Sequence, residues 1–120
     1  MDIQWREDQP IYLQLRDRVK GMILDGSLPE GEILPSVRQV ASQFQLNPIT
    51  VMKSYQTLVD DGIVEKKRGI GMYCLEGARN KLLEQEKLQF ITEEWPRIVK
   101  QIRQLGIKPE ELLRALESEE

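Results

Sequence analysis

The chain has no histidine and a single cysteine, Cys74, among its 120 residues. Histidine is the usual proton carrier near neutral pH and the commonest metal ligand, so its absence removes both roles. One cysteine cannot close an intrachain disulfide, which fits a reducing compartment, and without histidine it excludes a Cys/His zinc site. Carboxylates are plentiful, but the pairs Asp60-Asp61, Glu93-Glu94 and Glu110-Glu111 are neighbours in sequence. Such neighbours diverge around a helix and do not converge on one substrate atom. No catalytic constellation, metal site or cofactor motif is expected, and an enzyme is not. No apolar run approaches membrane-spanning length. The segment Met1-Asp2-Ile3-Gln4-Trp5 lacks the basic and apolar regions of a signal peptide. These absences point to a soluble cytoplasmic protein without a membrane partner. Neither internal repeats nor low-complexity segments occur.

A further absence is local. The chain carries a formal net charge of −3, with 20 acidic residues, yet not one of them lies between Glu32 and Asp60. That acid-free stretch contains Arg38 and Lys53, and the next basic group is the run Lys66-Lys67-Arg68. Net charge does not advertise a nucleic-acid partner; this arrangement does.

What is present reads as helices with strong punctuation. In PIYLQLRDRVKGMILDG, Ile11, Leu15, Val19, Met22 and Ile23 recur at helical spacing and form an apolar core face. Pro10 suits the first turn, Asp8 or Gln9 can cap it, and Gly26 stops it. The glycine and prolines of SLPEGEILP argue against regular structure. Ser36 with Gln39 three residues on is a capping box opening SVRQVASQF, where Val37, Val40, Ala41 and Phe44 share a face. Asn47 caps a third helix and Pro48 begins it, with Val51, Tyr55, Leu58 and Val59 as the buried stripe. Ile49, Thr50 and Lys53 lie off that stripe near its start. Two helices joined by a short connection form a helix-turn-helix pattern. Ile63-Val64-Glu65 then reads as a strand, KRGIG as a turn and Met72-Tyr73-Cys74-Leu75 as the return strand. Three helices followed by a hairpin is the order of a winged helix-turn-helix.

Beyond residue 76 the pattern changes. Leu88, Ile91, Trp95, Ile98, Ile102 and Leu105 alternate spacings of three and four, a seam of the coiled-coil kind. Pro96 interrupts it. A kink is favoured there because the seam keeps phase, the alternative being a new helix starting at Thr92. Gly106 ends the helix, and KPEELLRALESEE forms a short last one. The fold class is therefore mainly α with a small β-hairpin. A winged helix-turn-helix over 1–76 is followed by a helical segment over 77–120.

On such a fold Arg38, Lys53 and the 66–68 run can face one side and track a line of phosphates. The third helix would enter the major groove with its N-terminal residues at the base edges. Asn47 and Thr50 can hydrogen-bond there, Ile49 can touch a thymine methyl, and Lys53 can reach a phosphate or a guanine edge. Plainer readings stand beside these. Asn47 is a helix cap in any case, Thr50 and Lys53 can be a solvated face, and Arg38 can form a surface ion pair. The charged hairpin tip can be edge protection. Gly69-Ile70-Gly71 lacks both the third glycine of the dinucleotide fingerprint and a GK[ST] ending. It also falls between strands, so it is no phosphate cradle.

From Gly26 to Cys74 the stretch GSLPEGEILPSVRQVASQFQLNPITVMKSYQTLVDDGIVEKKRGIGMYC resembles the GntR family of bacterial transcriptional regulators. The likeness rests on the leucine-proline, the LPS-x-R, the T-V of the third helix, its tyrosine and leucine, and the basic G-x-G wing. PIY in the first helix and NP before T-V look like the YtrA-type subfamily, whose short C-terminal helical pair serves dimerisation. The resemblance implies a homodimeric repressor on a palindromic double-stranded DNA operator. It places Ser36 and Arg38 at the DNA, Asn47, Pro48, Ile49, Thr50 and Lys53 at the opening of the recognition helix, and Lys66, Lys67, Arg68, Gly69 and Gly71 in a wing whose tip reaches the minor groove. The seam from Leu88 to Leu105 would be the dimer interface. Ile49 and Ile70 depart from the family pattern, standing where polar and basic residues are common. The roughly 45 residues after the wing are too few for both a dimer interface and a roomy effector pocket. An effector is therefore absent, held at the dimer interface, or sensed elsewhere. The alternative reading is a winged-helix module for protein–protein contact without DNA binding.

Overall fold

The computed structural model describes residues 4–118. The chain divides into two compact units, Met1–Leu83 and Glu84–Glu120.

The first unit begins with α1 (Ile11–Leu24), which buries Leu15, Val19 and Ile23. Met22, expected on that face, is 36% exposed. The expected side-chain cap is also absent: Pro10 itself takes the N-cap position without a side-chain hydrogen bond. Asp8 and Gln9 instead accept from the guanidinium of Arg6 at 3.1 and 2.8 Å. Helix α2 (Val37–Phe44) opens on the expected capping box, with the Ser36 hydroxyl accepting from the Gln39 amide at 3.1 Å and the Gln39 side chain accepting from the Ser36 amide at 3.0 Å. Gln45, at φ 54°, turns the chain out of α2 in the left-handed region. Helix α3 (Pro48–Asp60) starts as expected at Pro48, the Asn47 side chain accepting from the Ile49 amide at 2.9 Å. Its buried face is Val51, Ser54, Tyr55 and Leu58.

The hairpin follows as β1 (Val64–Lys67) and β2 (Gly71–Cys74), antiparallel, with Val64 opposite Cys74 and Lys67 opposite Gly71. Pairing runs closer to the tip than the sequence suggests, leaving only residues 68–70 as the turn, closed by the Ile70 amide on the Lys67 carbonyl at 3.0 Å. Gly69 and Gly71 sit at φ 79° and 117°, a region costly for residues with a Cβ, which accounts for both glycines. The stretch between α1 and α2 is more ordered than its glycine and prolines suggest. Ile33 bridges Tyr73, and the Gly31 and Leu34 amides donate to the Cys74 and Met72 carbonyls at 2.7 and 2.8 Å. It thus lies along the free edge of β2, satisfying backbone groups that water would otherwise have to solvate.

The core of this unit joins Leu15 and Val19 of α1, Val40 of α2, Val51, Tyr55 and Leu58 of α3, and Ile63, Val64 and Cys74 of the hairpin. Helix α4 (Ala78–Gln89) adds Ala78 and Leu82 from its first turns. Arg79 fastens that start, its amide donating to Glu30 at 3.0 Å and its guanidinium to the Leu24 carbonyl at 3.0 Å.

In the second unit the helical chain passes through a π turn (Phe90–Glu94) into α5 (Trp95–Leu105), and α6 (Pro109–Glu117) follows. Pro96 stands in the first turn of α5, yet no new helix begins at Thr92. Instead the Trp95 amide reaches back five residues to the Phe90 carbonyl, and the Thr92 hydroxyl donates to the Leu88 carbonyl at 2.8 Å. Widening one turn accommodates a ring that has no N–H to give. Gly106, at φ 67°, ends α5 as expected. From Glu84 to Ser118 no residue is buried. Among the described residues no helix is long and apolar enough to cross a membrane.

Candidate nucleic-acid interface

Three elements of the first unit meet at one groove of about 400 Å³. Ser36 and Gln39 come from the start of α2, Met52 from α3, and Lys66, Ile70 and Gly71 from the hairpin. The structure therefore brings Ser36, Lys66 and Gly71 together at this groove, whereas Arg38, Lys53, Lys67 and Arg68 do not line it. Arg38, one position inside α2, is exposed. Among the described residues Arg38, Lys66 and Arg68 make no ion pair or side-chain hydrogen bond; the ion pairs there lie elsewhere.

Lys53 and Lys67 are placed differently. Lys53 Nζ stands 5.0 Å from the centre of the Tyr12 ring, and Lys67 Nζ stands 5.7 Å from that of Tyr73. Ring faces attract cations electrostatically, so each tyrosine restricts the lysine beside it. Tyr73 is itself held, its hydroxyl donating to Glu65 at 3.0 Å, and that bond to a carboxylate raises the phenol above its ordinary 10.0. Lys66 and Lys67 occupy opposite faces of β1, as strand alternation demands. The three adjacent positive charges are thus not one patch: Lys66 lines the groove beside α2, whereas Lys67 lines the hollow under Gly31 and Ile33.

On α3, Pro48 and Ile49 are exposed, Thr50 is half-buried and Asn47 is exposed as the cap. Met52 is also exposed, a residue that helical spacing from Ile49 would have picked out. Tyr55 has a second duty beyond packing: its hydroxyl donates to the Pro35 carbonyl at 2.7 Å. This bond ties α3 to the turn that launches α2, and so fixes how Arg38 stands relative to α3. Burial pushes the Tyr55 phenol up to about 12, so the hydroxyl stays a donor at physiological pH. No cluster of three or more His, Cys, Asp or Glu suited to a metal occurs among the described residues.

A helix-turn-helix whose second member offers an exposed N-terminal face, flanked by a cationic β-hairpin, defines a winged helix-turn-helix domain of the DNA-binding class. Residues 11–74 match the family model described as bacterial regulatory proteins, gntR family. The chain belongs to this family of DNA-binding transcriptional regulators and is not an enzyme. It is 35% identical to the HTH-type transcriptional regulator YhcF of Bacillus subtilis, over 98% of this chain and 96% of that protein. To the HTH-type transcriptional repressor YtrA of the same organism it is 36% identical, over 93% and 85% respectively. A crystal structure of a GntR-family regulator from Bacteroides thetaiotaomicron superposes with a TM-score of 0.73 at 38% identity, covering 87% of this chain and 90% of that one. The helical fold with its antiparallel hairpin and C-terminal helical part matches that winged-helix structure.

Proposed function

We propose that the protein is a homodimeric repressor that binds a palindromic operator, with the first unit on the DNA and the second holding two subunits together. The observation that carries the dimer is the surface of the second unit. Leu88, Phe90, Ile91, Trp95, Leu105, Leu113 and Leu116 are all exposed there, and no described residue of the unit is buried. Exposed apolar side chains repeating along a helix mark a surface that another helix covers. A two-fold pairing of such a seam is self-complementary and sets two α3 helices against half-sites about one DNA turn apart. The Phe90 and Trp95 rings, 6.4 Å apart, supply large contact area on that face.

In this reading Arg38, Lys66 and Arg68 hold phosphates or reach a groove edge, Gly69 and Gly71 let the wing approach closely, and Asn47 to Lys53 meet the base edges. Repression is supported by the likeness to the transcriptional repressor YtrA. Effector sensing has no assigned place; a groove of about 460 Å³ lined by Trp95, Val99, Ile102 and Leu112 lies within the second unit. Sedimentation velocity together with mobility shifts on DNA tests the reading. Dimers are expected, together with weaker DNA retention in Arg38→Ala and Lys53→Ala. A monomer that binds DNA unchanged in both variants would overturn it.

A further inference from the structure

Beyond the half-buried Thr50 hydroxyl, helix α3 has little free hydrogen-bonding chemistry with which to read bases. It contains no arginine, the residue that reads guanine through paired bonds. Its only lysine, Lys53, stands over the Tyr12 ring. Gln56, its only amide, donates to Asp60 at 2.9 Å, and the Asn47 carbonyl oxygen before it accepts from the Ile49 amide. What the helix does present is apolar: Ile49 is 65% exposed and Met52 56%. Three positions apart, they lie on one face. Met52 also borders the groove that Lys66 rims and that begins at Ser36, two residues from Arg38. The cations around this apolar strip suit it to a polyanion rather than to an apolar partner.

A base pair offers one apolar group in the major groove, the C5 methyl of thymine. We propose that Ile49 and Met52 read thymine methyl groups, and that Met52 is a specificity-determining residue setting thymine positions in each half-site. The assignment rests on α3 being the helix that enters the major groove. It makes the operator code one of shape and methyl contact, with phosphate contacts supplying the affinity. An unbranched thioether side chain conforms to a methyl without demanding a fixed angle.

Uracil provides the test, because it keeps every hydrogen-bonding group of thymine and lacks only the methyl. Duplexes are selected from a randomised pool with the full chain, and each thymine of the selected half-site is replaced in turn by uracil. Binding is expected to weaken about fourfold for each methyl that is read, the equivalent of one buried CH₂ group. In Met52→Ala the penalty at one position disappears while the position facing Ile49 keeps its own. The thermal midpoint of that variant is unchanged, since the side chain it removes is exposed. Selected half-sites without thymine, uracil substitutions that leave affinity unchanged, or a Met52→Ala protein retaining every penalty would each overturn the proposal and leave operator binding standing. A pool that yields no preferred sequence overturns the operator reading itself, and this one with it.

Discussion

Replacing Tyr55 with phenylalanine removes one hydroxyl and leaves the ring that fills the core. That hydroxyl donates to the Pro35 carbonyl at 2.7 Å from a side chain only 2% exposed. A neutral hydrogen bond in such a place contributes a net stabilisation of about 1 kcal/mol, which in a domain of this size lowers the melting temperature by about 4–8 °C when lost. The sign of its pH dependence follows from burial, which raises the phenol from 10.0 to about 12 in the folded state. A group whose folded value lies above its unfolded one stabilises fully below the unfolded value and loses that contribution as the pH climbs through the folded one. Between pH 10 and about 12 the unfolded chain releases the proton first. The folded one would in the end set a phenolate against the Pro35 carbonyl, acceptor against acceptor. The wild type therefore loses on the order of 2 kcal/mol over that interval that Tyr55→Phe does not lose. Denaturant unfolding of the two proteins in parallel from pH 7 to 12 reads the difference directly. Wild type is the more stable at pH 7, and the order reverses near the top of the range. Equal stability at pH 7, or a gap that stays constant through pH 12, would refute the reasoning.

Three further outcomes follow from single groups. The Ser54 hydroxyl is fully buried without a hydrogen-bond partner, so Ser54→Ala is expected to stabilise by up to about 1 kcal/mol; a loss of that size in calorimetry would show that the hydroxyl is held. Amides of Arg79 and Gly77 hold the Glu30 carboxyl below its ordinary 4.5. Its contribution is thus full above that value and lost as the pH falls through the lowered one. The advantage of wild type over Glu30→Gln shrinks on acidification below 4.5, and an advantage that persists unchanged at pH 3 argues against the anchor. Trp95→Glu sets a charge on the unpartnered face of the second unit and should convert dimer to monomer in sedimentation; a dimer that survives it places the interface elsewhere.

The parts of this fold written locally are the parts a reader of the sequence can find. Ser36 with Gln39, and Asn47 with Pro48, state where α2 and α3 begin because a cap is a chemical requirement of the first turn. The wing glycines do the same for a turn at positive φ. Features set by distant partners are not legible in this way. Pro10 takes the cap of α1, while Asp8 and Gln9 are engaged by Arg6. Residues 31–34 line the hairpin edge although their composition reads as a loop, since a single bridging pair shows no periodicity. Pro96 is absorbed by a π turn, an outcome between a kink and a break that spacing alone does not distinguish. In the candidate site, the acid-free stretch picks out Arg38 and Lys53 from composition alone. The ring of Tyr12 beside Lys53 and the exposure of Met52 emerge only once α1, α3 and the hairpin are packed.

The central claim is that Arg38, Lys66 and Arg68 meet DNA phosphates on a chain whose net charge is negative. Binding of the full chain to a selected duplex, measured from low to high salt, tests it most directly. Each neutralised phosphate contributes about −0.9 to the slope of log affinity against log salt. The account predicts a steep negative slope that becomes shallower by about 2 in Arg38→Ala, one phosphate contact being lost from each subunit of the dimer, and by about as much again in Arg68→Ala. An affinity indifferent to salt, or a slope the two substitutions leave untouched, would contradict it.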